Sequence, residues 1–278
     1  MKKYIVIFVL VICVSVFVFM RGDEDGSKSK PVLRVGVECD YPPNNWEEKR
    51  PTDFNVPLSN QEGSYADGYD IQIAKFVANE LDMTLSLKKI QWNDLLPALN
   101  KGEIDAIFSG MLDTAERRNS VAFSETYEVK KTEYAIIVNN SSPYAKSKTF
   151  IDFRGAKIIA QKGTKLDAVI DQIPGVIHVK PTETVQQMLD ALVNYRVDGA
   201  VINVDTGHSY EATYKNLTLK RFPEGKGFVL NFSGICAGVR KSDTELLHRI
   251  NRTLDGLEGS KRQKIMESTV SRLLKSAS

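Results

Sequence analysis

An α/β fold of two related lobes is predicted by three features of the sequence. From Val32 onward, apolar runs of strand length alternate with segments whose apolar residues recur at helical spacing. The same alternation restarts near Ala156. Finally, Leu96-Pro-Ala-Leu-Asn-Lys-Gly-Glu-Ile-Asp-Ala-Ile-Phe-Ser109 resembles Leu189-Asp-Ala-Leu-Val-Asn-Tyr-Arg-Val-Asp-Gly-Ala-Val-Ile202 position by position, sharing Leu-x-Ala-Leu and (Ile/Val)-Asp-(Ala/Gly) at one offset. Each copy reads as a helix, a tight turn, an Asp and a buried strand. With 278 residues, 42% hydrophobic and 26% charged, the chain suits one large or two modest globular units.

The N-terminus stands apart from that pattern. Lys2-Lys3 precede an apolar run from Tyr4 to Met20, interrupted by Ser15 alone, and Arg21-Gly-Asp-Glu-Asp-Gly26 then turns polar. A cationic start, an apolar stretch and a polar exit make an export signal over residues 1–26, set aside in reading the fold. As a helix the run spans roughly 26 Å, a little short of a bilayer core of about 30 Å. No small-x-small cleavage site precedes Arg21, and Ile12 before Cys13 is not the small residue of a lipoprotein signal. A cleaved signal, a retained anchor and an atypical lipoprotein all remain open readings. Residues 27–31 form a polar tether.

The folded part opens with the strand Val32-Leu-Arg-Val-Gly-Val37. The polar stretch 44–67, rich in Pro, Asn, Ser and Gly, reads as a long surface loop. Ile71, Ala74, Val77, Ala78 and Leu81 lie on one face of a helix over 70–81. A strand over 84–90, a helix over 92–101 and a strand over 104–109 complete the first β-α-β-α-β run, which implies parallel strands covered by helices. In the second run a strand over 157–161 leads to a helix over 165–172, ended by Pro174-Gly175, and to a strand over 176–179.

Parallel sheets take ligands beyond the carboxyl ends of their strands, and clefts between domains concentrate small-molecule sites. The candidate segments are therefore 38–46, 109–117, 161–165 and 203–205. Asp113 with Glu116 three residues on resembles a capping box, so a helix with exposed amides is expected there, attractive to an anion. Arg117, one turn in, adds a planar fork suited to a carboxylate, whereas Arg118 reads as solvated. Thr164, after Gln161-Lys-Gly, can cap a second helix start. Tyr41 and Trp46 supply flat rings that can wall a pocket. Core packing is the ordinary reading of Trp92, and an exposed position is expected for Pro42-Pro-Asn-Asn45.

Other chemistry is thinly represented. A net charge of +2 is too mild to argue for nucleic acid. There is no Gly-x-Ser-x-Gly, Walker loop or Gly-x-Gly-x-x-Gly, and no carboxylates paired by spacing. His178, His208 and His248 are scattered, so neither a metal nor another cofactor is expected. Cys39 and Cys236 read as two buried small hydrophobes in strands, with a single bridge between them left open.

Several runs, in order along the chain, carry a family resemblance. They are Leu33-Arg-Val-Gly-Val-Glu-Cys-Asp-Tyr-Pro-Pro-Asn-Asn-Trp46, Tyr65-Ala-Asp-Gly-Tyr-Asp-Ile-Gln-Ile-Ala-Lys75 and the Trp92–Ala106 stretch. Thr114-Ala-Glu-Arg-Arg-Asn-Ser-Val-Ala-Phe-Ser124, Phe153-Arg-Gly-Ala-Lys157 and Val239-Arg-Lys-Ser-Asp-Thr-Glu-Leu246 continue it. The chain resembles, from Val32 to about Met266, the extracytoplasmic solute-binding proteins of polar amino-acid ABC transporters.

That resemblance implies a type II periplasmic-binding-protein fold, two α/β lobes joined by two hinge strands with the ligand cleft between them. The crossings fall near 127–131 and 234–238, giving one lobe from 32–128 with 237–278 and another from 129–236. Arg117 is expected to grip the ligand α-carboxylate, helped by amides near Leu112 and at Thr164 and Lys165. The Ser109 side chain and the Gly110 carbonyl take the α-ammonium. Tyr41 and Trp92 sandwich the ligand side chain, with Trp46 nearby, while Glu38 and Gln161 read its polar end.

At one position this chain departs from the family pattern. After Val197-Asp-Gly-Ala-Val-Ile202 the family places an acid that pairs with the α-ammonium, and here Asn203 stands instead, giving up a charge-assisted bond of about 1.5–3 kcal/mol. Asp205, read as sharing its strand face, is the candidate substitute; a ligand without an ordinary ammonium and a lower affinity are the alternatives. The expected ligand is a free polar amino acid, with arginine, lysine or glutamine favoured, and the expected partner is a membrane permease. A monomer in the periplasm, or on the outer face of the cytoplasmic membrane, is expected. Two other readings share the fold: an enzyme of the cyclohexadienyl dehydratase kind, with Glu38 or Asp205 as general acid, and a ligand-sensing partner of a receptor.

Overall fold

The computed structural model describes residues 29–127, 129, 132–230 and 234–276. The export segment 1–26, residues 27 and 28 of the tether, and Glu128, Lys130 and Lys131 of the expected first crossing lie outside the described residues. Among the described residues no helix is long and apolar enough to cross a membrane.

The first sheet grows from alternation in Val32–Val37 (β1), where Leu33, Val35 and Val37 are fully buried. β1 pairs in parallel with Thr84–Lys89 (β6) on one side and Ala106–Ile107 (β7) on the other. Cys236–Val239 (β14) runs antiparallel between β7 and Ala122–Thr126 (β8), giving the order β6-β1-β7-β14-β8. The second sheet repeats that plan. Lys157–Ile159 (β10), Ile177–His178 (β11) and Gly199–Asn203 (β12) form its parallel trio. Tyr134–Asn139 (β9) then runs antiparallel between β12 and Leu217–Lys220 (β13), in the order β11-β10-β12-β9-β13. The two matched sequence segments occupy equivalent places. Leu95–Asn100 (α2) leads into β7, and Val185–Val193 (α4) leads into β12.

Helices cover the sheets with the faces expected from their spacing. Tyr69–Glu80 (α1) buries Ile71, Ile73, Ala74, Val77 and Ala78. It starts at Gly68, where φ is +136° and a side chain would run into the Asn44 carbonyl, so only glycine fits. Thr244–Asp255 (α6) and Gly259–Ser276 (α7) pack back onto α1. The chain therefore leaves the first sheet after β8, builds the second, and returns at β14.

Several expectations are corrected. Residues 44–67 are not one long surface loop but short strands joined by turns. Asp40–Tyr41 (β2), Asn45–Glu48 (β3), Val56–Pro57 (β4) and Tyr65–Asp67 (β5) pair into an antiparallel sheet of order β2-β3-β5-β4. Its polar side chains are satisfied inside the protein: Asn44 and Asn45 are buried, and Arg272 grips both oxygens of buried Asp67 at 2.9 Å. No α-helix begins at Asp113. Arg117–Asn119 is a short 3-10 turn without a side-chain cap, because both Asp113 oxygens are taken by Arg118. Cys39 is buried at a turn with φ of +61° rather than in a strand, and both Cys39 and Cys236 are free thiols.

Candidate functional site

The carboxyl ends of β1, β7 and β10 converge on one shared cavity that is partly open to solvent. From the first sheet come Glu38 and Tyr41 after β1, and Ser109, Gly110 and Leu112 after β7. Arg117 follows, and Trp92 arrives from the turn after β6. From the second sheet come Gln161, Thr164 and Lys165 after β10. Sequence position explains most of this convergence, since all but Arg117 lie within a few positions of a strand end or turn that borders the cavity.

Local bonds fix the first side. The Glu38 amide donates to Ser109 Oγ at 3.0 Å, which ties the two strand ends together. Gly110 has φ of +62°, and an added side chain would press on the Tyr41 ring at 3.1 Å. Arg117 donates to the Leu112 carbonyl at 2.9 Å and to the Gly163 carbonyl at 3.3 Å. These bonds use two of its five N–H groups. Its guanidinium lies 5.0 Å above the Trp92 ring, and burial holds its pKa below the ordinary value. Trp92 is thus half-buried at the cavity wall rather than a core residue, and its indole N–H reaches the Gly163 carbonyl at 3.2 Å.

On the other side, Thr164 Oγ1 caps Lys165–Ala168 (α3) by accepting from the Asp167 amide. Its hydroxyl donates to the Gln161 carbonyl at 2.7 Å. Gln161 is buried and its amide donates to the Glu38 carboxylate. Glu38 is 6% exposed, and burial pushes its pKa up to about 7 in spite of the bonds from Gln161 and from the Trp92 amide. The two sides also meet at the rim. Asn93 donates to Glu183 at 2.8 Å, the Tyr210 hydroxyl to the Asp40 carbonyl at 3.3 Å, and Lys165 lies 3.3 Å from Glu116.

Three candidates lie elsewhere. Trp46 is buried in the small sheet, with its indole N–H spent on Glu48 at 2.7 Å. Asn203 ends β12 and turns its side chain back to cap Val204–Thr213 (α5), accepting from the Asp205 amide at 2.9 Å. Asp205 belongs to the first turn of that helix and does not continue the strand. Asn203 and Asp205 line a different hollow, beside α7. The physical reason is that β12 runs straight into a helix, whose open amides claim the Asn203 oxygen. Two cavity residues had no local signal in the sequence: Tyr134, the first residue of β9, and Leu166, in the short helix after Thr164.

The geometry can be set beside known proteins. A family model for bacterial extracellular solute-binding proteins, family 3, matches residues 33–269. An L-arginine-binding protein of Pseudomonas aeruginosa is 28% identical over 248 residues, covering 84% of this chain and 85% of its own. A probable histidine-binding protein of Campylobacter jejuni is 26% identical over 225 residues, covering 80% and 78% respectively. Among solved structures, the substrate-binding protein of an amino acid ABC transporter superposes with a TM-score of 0.71 at 28% identity, covering 85% of this chain and 98% of that one. A mutant of ArgBP from T. maritima gives a TM-score of 0.70 at 28% identity, covering 86% and 95%. The two repeated open sheets are those of the bilobal type II binding fold. The chain accordingly belongs to the bacterial extracellular solute-binding proteins of family 3, the amino-acid-binding components of ABC transporters.

Proposed function

We propose that this protein captures a free polar amino acid, basic in first place, with arginine ahead of lysine and glutamine, and delivers it to a membrane permease. One observation carries the reading. Trp92 touches both ends of a charge-separated cavity: its ring lies under the Arg117 guanidinium, and its backbone N–H reaches the Glu38 carboxylate. Arg117 suits an α-carboxylate, and Glu38 with Gln161 suits a cationic or amide tip at the far end. The names of similar proteins, one an L-arginine-binding protein, favour the same ligand class.

In this reading the lobes are residues 32–128 with 237–278, and residues 129–236. Ligand contacts from both lobes favour the closed arrangement by the ligand's differential affinity for it. A micromolar dissociation constant corresponds to about −8 kcal/mol. A carboxylate fork, a ring wall and a few amide bonds suffice for that. The α-ammonium falls to Ser109 and Gly110, since Asn203 and Asp205 lie outside the cavity. The N-terminal apolar run serves as the export signal or anchor, placing the protein outside the cytoplasmic membrane, and the protein acts as a monomer.

Thermal-shift screening of the twenty amino acids is the test. Arginine or lysine should raise the melting temperature most. If no amino acid does, the ligand class is wrong; measurable turnover of prephenate or arogenate would instead make the protein an enzyme.

A further inference from the structure

One buried acid outside the cavity, Asp70, is not explained by the cavity's chemistry. It is a carboxylic acid with no exposure to solvent, in the first turn of α1, and it does not line the cavity. Its oxygens are not used to cap its own helix. Oδ1 accepts from the Tyr127 hydroxyl at 2.7 Å, Oδ2 accepts from Asn45 Nδ2 at 2.7 Å, and the Gly110 amide also donates to the carboxylate.

Each donor belongs to a segment that bears on the ligand site. Gly110 is itself a cavity residue. Asn45 uses its other end to accept the Cys39 amide at 2.8 Å, so it holds the turn that presents Glu38 and Tyr41. Tyr127 follows β8, where the chain leaves the first sheet. It is fully buried, stacks on Phe108 with ring centroids 5.7 Å apart, and its carbonyl accepts from Tyr69 Oη at 2.7 Å.

We infer that Asp70 is a positioning residue for ligand capture: one buried carboxylate holds the two cavity loops at 38–41 and 109–110 in register with the segment that leads out of the first sheet at Tyr127. The inference rests on the reading of the cavity as an amino-acid site. A buried carboxylate is costly unless several donors satisfy it, and an apolar side chain of the same size would fill this space more cheaply. What an apolar side chain could not do is collect three donors from three separate segments. The cost is visible in Asp70 itself, whose pKa burial pushes up to about 7 against the pull of those donors.

The test uses the full chain carrying Asp70→Asn. The amide nitrogen of the introduced asparagine would face donors where an acceptor is needed, leaving at least one buried N–H or O–H unpaired. Hydrogen exchange at the Gly110 and Cys39 amides should rise by roughly tenfold or more relative to amides of β9, and L-arginine should bind roughly tenfold more weakly. Tyr127→Phe removes one donor with no change of shape; should Asp70→Asn fail to fold, it must show the same two effects in smaller degree. Leu192→Ala, in the separate core of the second sheet, is the control for general destabilisation. It should leave exchange at Gly110 unchanged relative to its neighbours and leave arginine affinity within about twofold. Unchanged local exchange at Gly110 and Cys39 in the folded variants would overturn the positioning role. Faster exchange there, in a protein whose parent form does not bind arginine, would uphold the bracing of the loops and overturn the basic-amino-acid reading instead.

Discussion

Glu38→Gln keeps the size of a cavity side chain and removes its charge, and the structure assigns two effects of opposite sign to it. The first concerns the protein without ligand. Burial lifts the Glu38 pKa from the ordinary 4.5 to about 7. A carboxyl raised in this way contributes stability below its unfolded pKa and loses it as the pH rises through 4.5 to about 7. Above pH 7 the charged form therefore costs the fold about 3 kcal/mol at most. A glutamine can keep the contact with Gln161 at no such cost, so about 1–3 kcal/mol should be recovered near pH 8. At about 2–4 °C per kcal/mol for a chain of this size, the melting temperature rises by about 2–12 °C. At about pH 4 the gain disappears. The second effect concerns the ligand. A cationic side chain loses its buried counter-charge, which costs about 2–4 kcal/mol, or roughly 30- to 1,000-fold in affinity. Glutamine as ligand loses far less. Differential scanning fluorimetry at the two pH values, with calorimetric titration of arginine and glutamine, reads both effects. A variant no more stable than its parent at pH 8, or one that binds arginine equally well, refutes the assignment of a buried, ligand-facing carboxylate.

Arg117→Ala removes the carboxylate fork and the cation over Trp92, and should lower affinity for any α-amino acid by roughly 100-fold or more in calorimetric titration. Arg117→Lys should recover only part of it, since an ammonium lacks the fork. Asn203→Ala should cost about 1 kcal/mol as the loss of a helix cap, read as a fall of about 2–4 °C in melting temperature, with arginine affinity held within about twofold. A large affinity loss would return Asn203 to the ligand's ammonium. His178 lies 2.9 Å from Asp167 and 3.0 Å from Asp171. Burial works against its charged form, but the two carboxylates outweigh it and raise its pKa above 6.5. Its stabilising effect is therefore full below 6.5 and lost as the pH rises through the folded value. His178→Gln should be less stable than the parent near pH 5.5 and indistinguishable from it near pH 9, as measured by chemical denaturation.

Much of this architecture was legible in the sequence because apolar periodicity records burial directly. Ile71, Ala74, Val77 and Ala78 mark the face of α1, and the matched segments at 96–109 and 189–202 mark equivalent helix–strand units. The strand ends then located Glu38, Ser109, Arg117 and Gln161, since the sheet topology sends them to one place. Legibility failed where polar groups satisfy one another inside the protein. Asn45 and Asp67 look like loop residues by composition, and their burial depends on Asp70 and Arg272, distant in sequence. Asp113 has the spacing of a cap, but Arg118 competes for it and wins. Asn203 follows a strand as a ligand residue should, yet its oxygen is claimed by the helix it starts. Tyr134 reaches the cavity only because β9 inserts beside β12, and no pattern around residue 134 encodes that pairing.

The place of β14 in the first sheet has a consequence for the order of folding. β14 lies between β7 and β8, and its pairings join residues more than a hundred positions apart. Until residue 236 has been made, β7 keeps an open edge and β8 has no neighbour in the sheet. The helices that close over α1 come later still. The second sheet, by contrast, draws all its strands from 134–220, so it has everything it needs first. The first sheet, with the helices that cover it, should therefore be the last part to become rigid. Pulse-labelled hydrogen exchange during refolding should protect β9 and β12 before β1 and β7.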